Sequence, residues 1–201
     1  MRRHSDLHQS TAISAVLLVL LTAVVLFATG IAGSSVAALK DLTDTARIAL
    51  LPGSGWPQQT GVAELEQMAP LTGSFVELGD EGCVVWSRTG KKLNSIQSGY
   101  ARPALAAGKT RFVLYNRSGN ELRVESRTQN LYTKTMDSTI SLCAVADAGQ
   151  VAVVTDSTDS VAKLTVYNSS MQQQLVWNLT SEQGTPLRMA FAPDSRRLAV
   201  A

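Results

Sequence analysis

Few residues of this 201-residue chain have the types and spacing that chemistry needs. Its two histidines, His4 and His8, lie near the N-terminus, and no histidine follows. Beyond residue 8 there is therefore no imidazole for a Ser-His-Asp triad, a Cys-His pair or a histidine-containing zinc site. Two cysteines, Cys83 and Cys143, cannot alone make a four-ligand structural zinc site. Both sit in apolar runs, CVVW and SLCAVA, which favours two buried free thiols over a disulfide. Gly53-Ser54-Gly55 lacks the Lys-Ser/Thr of a phosphate loop and precedes Trp-Pro, so it reads as a chain breaker. Asp156 and Asp159 in TDSTDS offer two carboxylates where calcium takes six to eight oxygens, so a solvated turn is the expectation. Asp80 and Glu81 in GDEG read as turn residues. Glu64 and Glu66, at alternate positions of an expected strand, read as a solvated face, not a glycosidase pair. No catalytic, cofactor-binding or metal-binding residue is assigned, no cofactor is expected, and the chain is not read as an enzyme.

The elements around these residues are unevenly distributed. Net charge is +2, with no excess of one sign that would point to nucleic acid. Residues 12–33, AISAVLLVLLTAVVLFATGIAG, carry no charge. As a helix they would span roughly 33 Å, the thickness of a bilayer core, so a transmembrane signal anchor is expected there. A cleaved signal peptide, with Ser35-Val36-Ala37 as its processing site, is the alternative. Arg2 and Arg3 before the run place residues 1–11 inside as a short cytoplasmic head, with the bulk exported.

Residues 34–61 are read as a juxtamembrane stalk and linker. Val36, Leu39, Leu42, Ala46 and Ala49 recur every three or four positions, the period of a helix. LPGSGWPQQTG, at 51–61, ends it with two prolines and three glycines. From Val62 the chain becomes short strands and turns rich in Val, Thr, Tyr and Trp. RFVLYNRSGNELRVES is a hairpin turning at Arg117-Ser118-Gly119. Three more strands are expected from Gln150 to Thr180.

Two frames repeat. CAVADAGQVAVVT and MAFAPDSRRLAVA align Gly149 with Ser195, 46 residues on, and ALAAGKTRFV places Gly108 41 residues earlier. Ser195 stands where a tight turn expects Gly, at a small cost in strain. The second frame, VWSRTGKKL, LYNRSGNEL and VYNSSMQQQL, has Trp86, Tyr115 and Tyr167 at uneven spacings of 29 and 52. A mean period of about 40 fits four-stranded propeller blades. Trp86, Tyr115, Tyr167 and Trp177 are expected to pack between blades. The sequons at Asn116, Asn168 and Asn178 are read as chance.

AFAPDSRRLAV resembles the strand-turn-strand of WD40-like bacterial propellers. With GSGWPQ, LYNRSGNEL, ISLCAVADAGQVAVVTDS, LTVYN and LVWN, the chain resembles a bacterial family of single-pass membrane propellers of unknown function. The resemblance carries no site residues. It implies an all-β fold, with residues 62–201 as a partial β-propeller of about three and a half blades after one transmembrane helix. Closed propellers have about four to eight blades, so two to four more are expected beyond residue 201. The expected function is a membrane-anchored extracytoplasmic binding or scaffolding module with a protein or small-ligand partner on one propeller face. The alternative is the propeller part of a membrane-anchored serine peptidase, marked by a G-x-S-x-G elbow that this sequence lacks.

Overall fold

The middle strands of the chain are unbroken apolar runs because both of their faces are buried. Val76 and Leu78 of strand β2 (Ser74–Gly79) pack against Phe112 and Leu114 of β6 (Arg111–Asn116). The alternate residues Val113 and Tyr115 pack the other way, against Val151 and Val153 of β10 (Val151–Thr155). In turn, Ala152 and Val154 face a third apolar cluster with Leu164 and Leu179. Side chains of successive residues leave a strand on opposite sides, so an apolar residue at every position means a neighbour on each side.

The computed structural model describes Leu21 and residues 31–201. His4, His8 and nearly all of the span expected at 12–33 lie outside the described residues. Among the described residues no helix is long and apolar enough to cross a membrane. Helix α1 (Ile31–Leu50) stops one residue before the Leu51–Gly61 breaker. Lys40–Ala201 form one compact unit.

That unit is all-β apart from the end of α1. It contains three four-stranded antiparallel meanders and one hairpin. The first is β1 (Leu65–Leu71), β2, β3 (Gly82–Ser87) and β4 (Lys92–Gln97). The second is β5 (Pro103–Ala107), β6, β7 (Glu121–Ser126) and β8 (Asn130–Thr135). The third is β9 (Ile140–Val145), β10, β11 (Ala162–Tyr167) and β12 (Gln173–Leu179). The hairpin is β13 (Met189–Phe191) and β14 (Leu198–Val200). The first strands β1, β5, β9 and β13 lie side by side, so the sheets stack as blades.

Each meander places its first and third turns at one end and its second turn at the other. The first turns of successive blades are tied together. Thr72 N–H donates to Lys109 O at 2.7 Å, Lys109 pairs with Asp147 at 2.8 Å, and Ala148 N–H donates to Ser195 Oγ at 3.1 Å. Gly149 has φ +87°, and Ser195, in the equivalent turn, has φ +57°, so Ser195 bears the strain expected of it.

The second repeat frame mixes two kinds of turn. Trp86 and Tyr167 end the third strands of blades one and three, whereas Tyr115 is on the second strand of blade two. This offset accounts for the uneven spacings. Glu64 precedes β1, whose pairing shifts register between Leu65 and Gln67, so Glu64 and Glu66 do not share a strand face. The Gly-Trp-Pro segment is more than a breaker. The Trp56 ring lies 5.6 Å from Phe75 and 5.7 Å from Trp86, its Nε1–H donates to Arg88 O at 3.0 Å, and Gly55 N–H donates to Thr89 O at 3.0 Å. A Cβ on Gly53 would collide with the Thr89 carbonyl, which is why that position needs glycine.

Candidate functional site

The densest polar chemistry lies where the end of α1 meets the first and third turns of blade two. Asp41, Asp44 and Thr45, three and four residues apart, share one side of the helix. The Asp41 carboxylate accepts hydrogen bonds from Thr110 Oγ1–H at 3.0 Å and Arg111 Nε–H at 3.0 Å. Arg111, 3% exposed, also donates to Ser169 O of blade three at 2.7 Å. Arg127 is wholly buried. Its guanidinium donates to Thr72 O of blade one at 2.9 Å, Asp41 O at 3.0 Å and Thr45 Oγ1 at 2.8 Å. It forms an ion pair with Asp44 at 3.4 Å, while Thr128 Oγ1–H donates to the other Asp44 oxygen at 3.0 Å. Two guanidinium forks thus join three blades and hold two carboxylates of the helix. Arginine suits this work because its planar fork serves several acceptors at once and stays charged when buried.

Sequence reasoning missed all four of these charged residues. The available signal was a pair of Thr-Arg and Arg-Thr steps, at 110–111 and 127–128, each beside a turn. The apolar period of α1 identified the helix but not its packing face. Leu42, Ala46, Ala49 and Leu50 are exposed, and the polar side, with Ile48, is turned to the blades.

The other candidates are dispersed. Asp80 and Glu81 occupy the β2–β3 turn beside a hollow of about 160 Å³, and Asp156 and Asp159 lie in the β10–β11 turn. Among the described residues no group of three or more His, Cys, Asp or Glu is placed to hold a metal ion. Tyr115 and Tyr167 are buried in the cluster between blades two and three, Trp86 is buried under the Trp56 ring of the linker and not between blades, and Trp177 is 41% exposed. With Leu164, Leu175, Phe191 and Leu198 it lines a groove of about 550 Å³. Asn116 and Asn168 serve turns: the Asn168 side-chain oxygen accepts from Ser170 N–H and Gln172 N–H, both at 2.9 Å.

Cys83 and Cys143 are free thiols, both buried, in two different core clusters. Burial pushes Cys83 up to about 12, with the Glu125 carboxylate adding to the rise, and burial raises Cys143 further. Above the usual thiol range the unfolded chain therefore ionises while the native thiols keep their protons. Stability falls as pH rises through that window toward 12. Ellman's reagent at pH 8 is expected to leave both thiols untouched in the native protein and to titrate both in denaturant. Fast reaction of either native thiol would contradict this burial.

Residues 56–201 match a family of unknown function, DUF5711. The chain belongs to that family. Among solved structures, the DUF5711 chain is similar to Hsv2 of Kluyveromyces lactis, with TM-score 0.54 and 13% identity over 69% of this chain and 46% of that one. An Hsv2 variant whose loop 6CD is replaced by a Gly-Ser linker gives TM-score 0.55 and 13% identity over 72% and 48%. This likeness shows a propeller-like fold. The chain spans under half the length of the Hsv2 chain. No curated protein matches the sequence.

Proposed function

We propose that this DUF5711 chain is a membrane-anchored, extracytoplasmic binding or scaffolding module whose partner docks on the second-turn face of its blades. The anchor is the uncharged run at residues 12–33, with the short basic head in the cytoplasm. The observation that carries the reading is the division of labour between the two ends of the blades. The first- and third-turn end is engaged by residues 41–48 of α1 through Arg111 and Arg127. The opposite end presents exposed polar side chains on every complete blade: Asp80 and Glu81, Arg117 and Ser118, Asp156 and Asp159. Loops on a rigid stack of sheets are where propellers offer contacts.

A photo-crosslinking amino acid at Arg117, in full-length protein expressed in its native membrane, tests this reading. Discrete adducts at Arg117, absent when the crosslinker replaces Ser170 at the opposite end, are the expected result. Adducts confined to position 170, or no adduct at either position, would overturn it.

A further inference from the structure

We propose that β12 pairs edge to edge with β12 of a second copy of this chain. It is the outermost strand of the third sheet, bonded to β11 on one side, and among the described residues no strand lies beyond it. An open strand edge offers a row of unpaired N–H and C=O groups to any other strand, and proteins guard such edges with charge, lysine above all. The two equivalent outermost strands are guarded. β4 carries Lys92 after Lys91, and β8 carries Lys134. Their apolar residues Leu93, Ile96, Leu131 and Tyr132 are at least partly buried. β12 differs on both counts. No charged residue occurs from Leu164 to Ser181. Leu175, Val176 and Trp177, in succession, are 51%, 38% and 41% exposed, so apolar side chains stand free on both faces of the strand.

The sequence of β12 selects the partner. An antiparallel pair related by a two-fold axis is self-complementary: if residue i meets residue j of the copy, j meets i. With the axis at Val176, Val176 meets its own copy, Leu175 meets Trp177, and Gln174 meets Asn178. On one face the leucines and tryptophans of the two copies meet as an apolar cluster. On the other, valine stands against valine between two amide pairs, whose side chains both donate and accept. Matched cross-strand pairs of this kind stabilise a sheet, and like charges set opposite would oppose it, but β12 has none. A strand of another sequence would gain the backbone bonds without this match. The pairing carries the sheet β9–β12 across the axis into the second copy. It uses only the outer edge of β12, so it holds whatever packs in the groove beside β14. It rests neither on the proposed anchoring nor on the second-turn face.

The test is disulfide trapping in the full chain, in detergent micelles, with copper–phenanthroline as the oxidant. The two native thiols are buried. Opposite residues of an antiparallel pair have Cα atoms about 4.5–5.5 Å apart, within disulfide reach. Asn178 would stand opposite Gln174 and about 13 Å along the strand from its own copy, at roughly 3.3 Å per residue. The proposal expects Val176→Cys alone to give a disulfide-linked dimer. Gln174→Cys and Asn178→Cys should give none when expressed singly and a dimer when coexpressed. Val176→Lys, which sets two charges face to face at an exposed position, should turn the dimer seen by light scattering into a monomer with an unchanged circular dichroism spectrum. Equal crosslinking at all three positions, the mark of nonspecific contact, overturns the proposal. So does the absence of a crosslink at position 176, or a dimer that survives Val176→Lys. A monomeric wild type also overturns it, and is the result expected if another protein or another part of this chain covers the edge.

Discussion

Replacing Arg127 with Met is expected to destabilise the protein by about 3–5 kcal/mol, the cost of breaking a buried pair by removing one partner. The guanidinium has no solvent to return to, and it satisfies Thr72 O, Asp41 O and Thr45 Oγ1 while facing the Asp44 carboxylate. Methionine fills much of the volume but removes the donor from the Thr72 carbonyl and the counter-charge from the Asp44 carboxylate, while the Asp41 carbonyl keeps Thr45 Oγ1–H at 2.6 Å. Arg127→Lys keeps the charge and loses the fork, so it should fall between wild type and Arg127→Met. Urea unfolding gives the numbers through the midpoint. The decisive comparison is a double-mutant cycle with Asp44→Asn. Arg127 and Asp44 share one network, so their effects should depart from additivity by about 0.5–3 kcal/mol. Additive effects would mean that Arg127 matters for the blades alone and does not hold the helix.

Phe112→Ala is the second large effect, expected to cost about 3–5 kcal/mol. Phe112 has no exposed surface and sits between blades one and two with Val76, Leu78, Cys83 and Val85. Its removal leaves a cavity walled by two sheets, and neither sheet can close it without moving against its other neighbour. Leu187→Ala, at an exposed position, is the control and should stay within about 0.5 kcal/mol. A loss under about 1 kcal/mol for Phe112→Ala would show that the two sheets relax together and are not locked as stacked blades.

Much of this architecture was legible in the sequence because its signals are local. FVLY and VAVV are unbroken apolar runs, and both proved to be strands buried on two faces. The turn at Gly149 was legible from its residue type, since glycine accepts positive φ freely, whereas those at Ser118 and Ser195 were legible from the neighbouring Gly119 and Pro193-Asp194, the positive φ itself falling on serine. The misread frame at Tyr115 shows the limit of pattern matching. An aromatic before a polar turn ends a second strand as well as a third, and only pairing tells which. Trp177 fails for a related reason. Its type predicts burial, yet its exposure depends on what stands beside β12, which its own strand does not encode. The α1 latch was illegible because its parts lie about seventy to ninety positions apart, and the helix's own apolar period pointed to the wrong face.

The placement of α1 is the claim on which the division between an engaged and a free end of the blades depends. Amide hydrogen exchange on the wild-type chain and on Asp41→Asn/Asp44→Asn tests it most directly. In wild type the amides of residues 44–50 should be protected comparably to those of β6 and β10. In the double variant that protection should fall to the level of a fraying helix while β6 and β10 keep theirs. Rapid exchange at residues 44–50 in wild type, or unchanged protection in the variant, would contradict the latch.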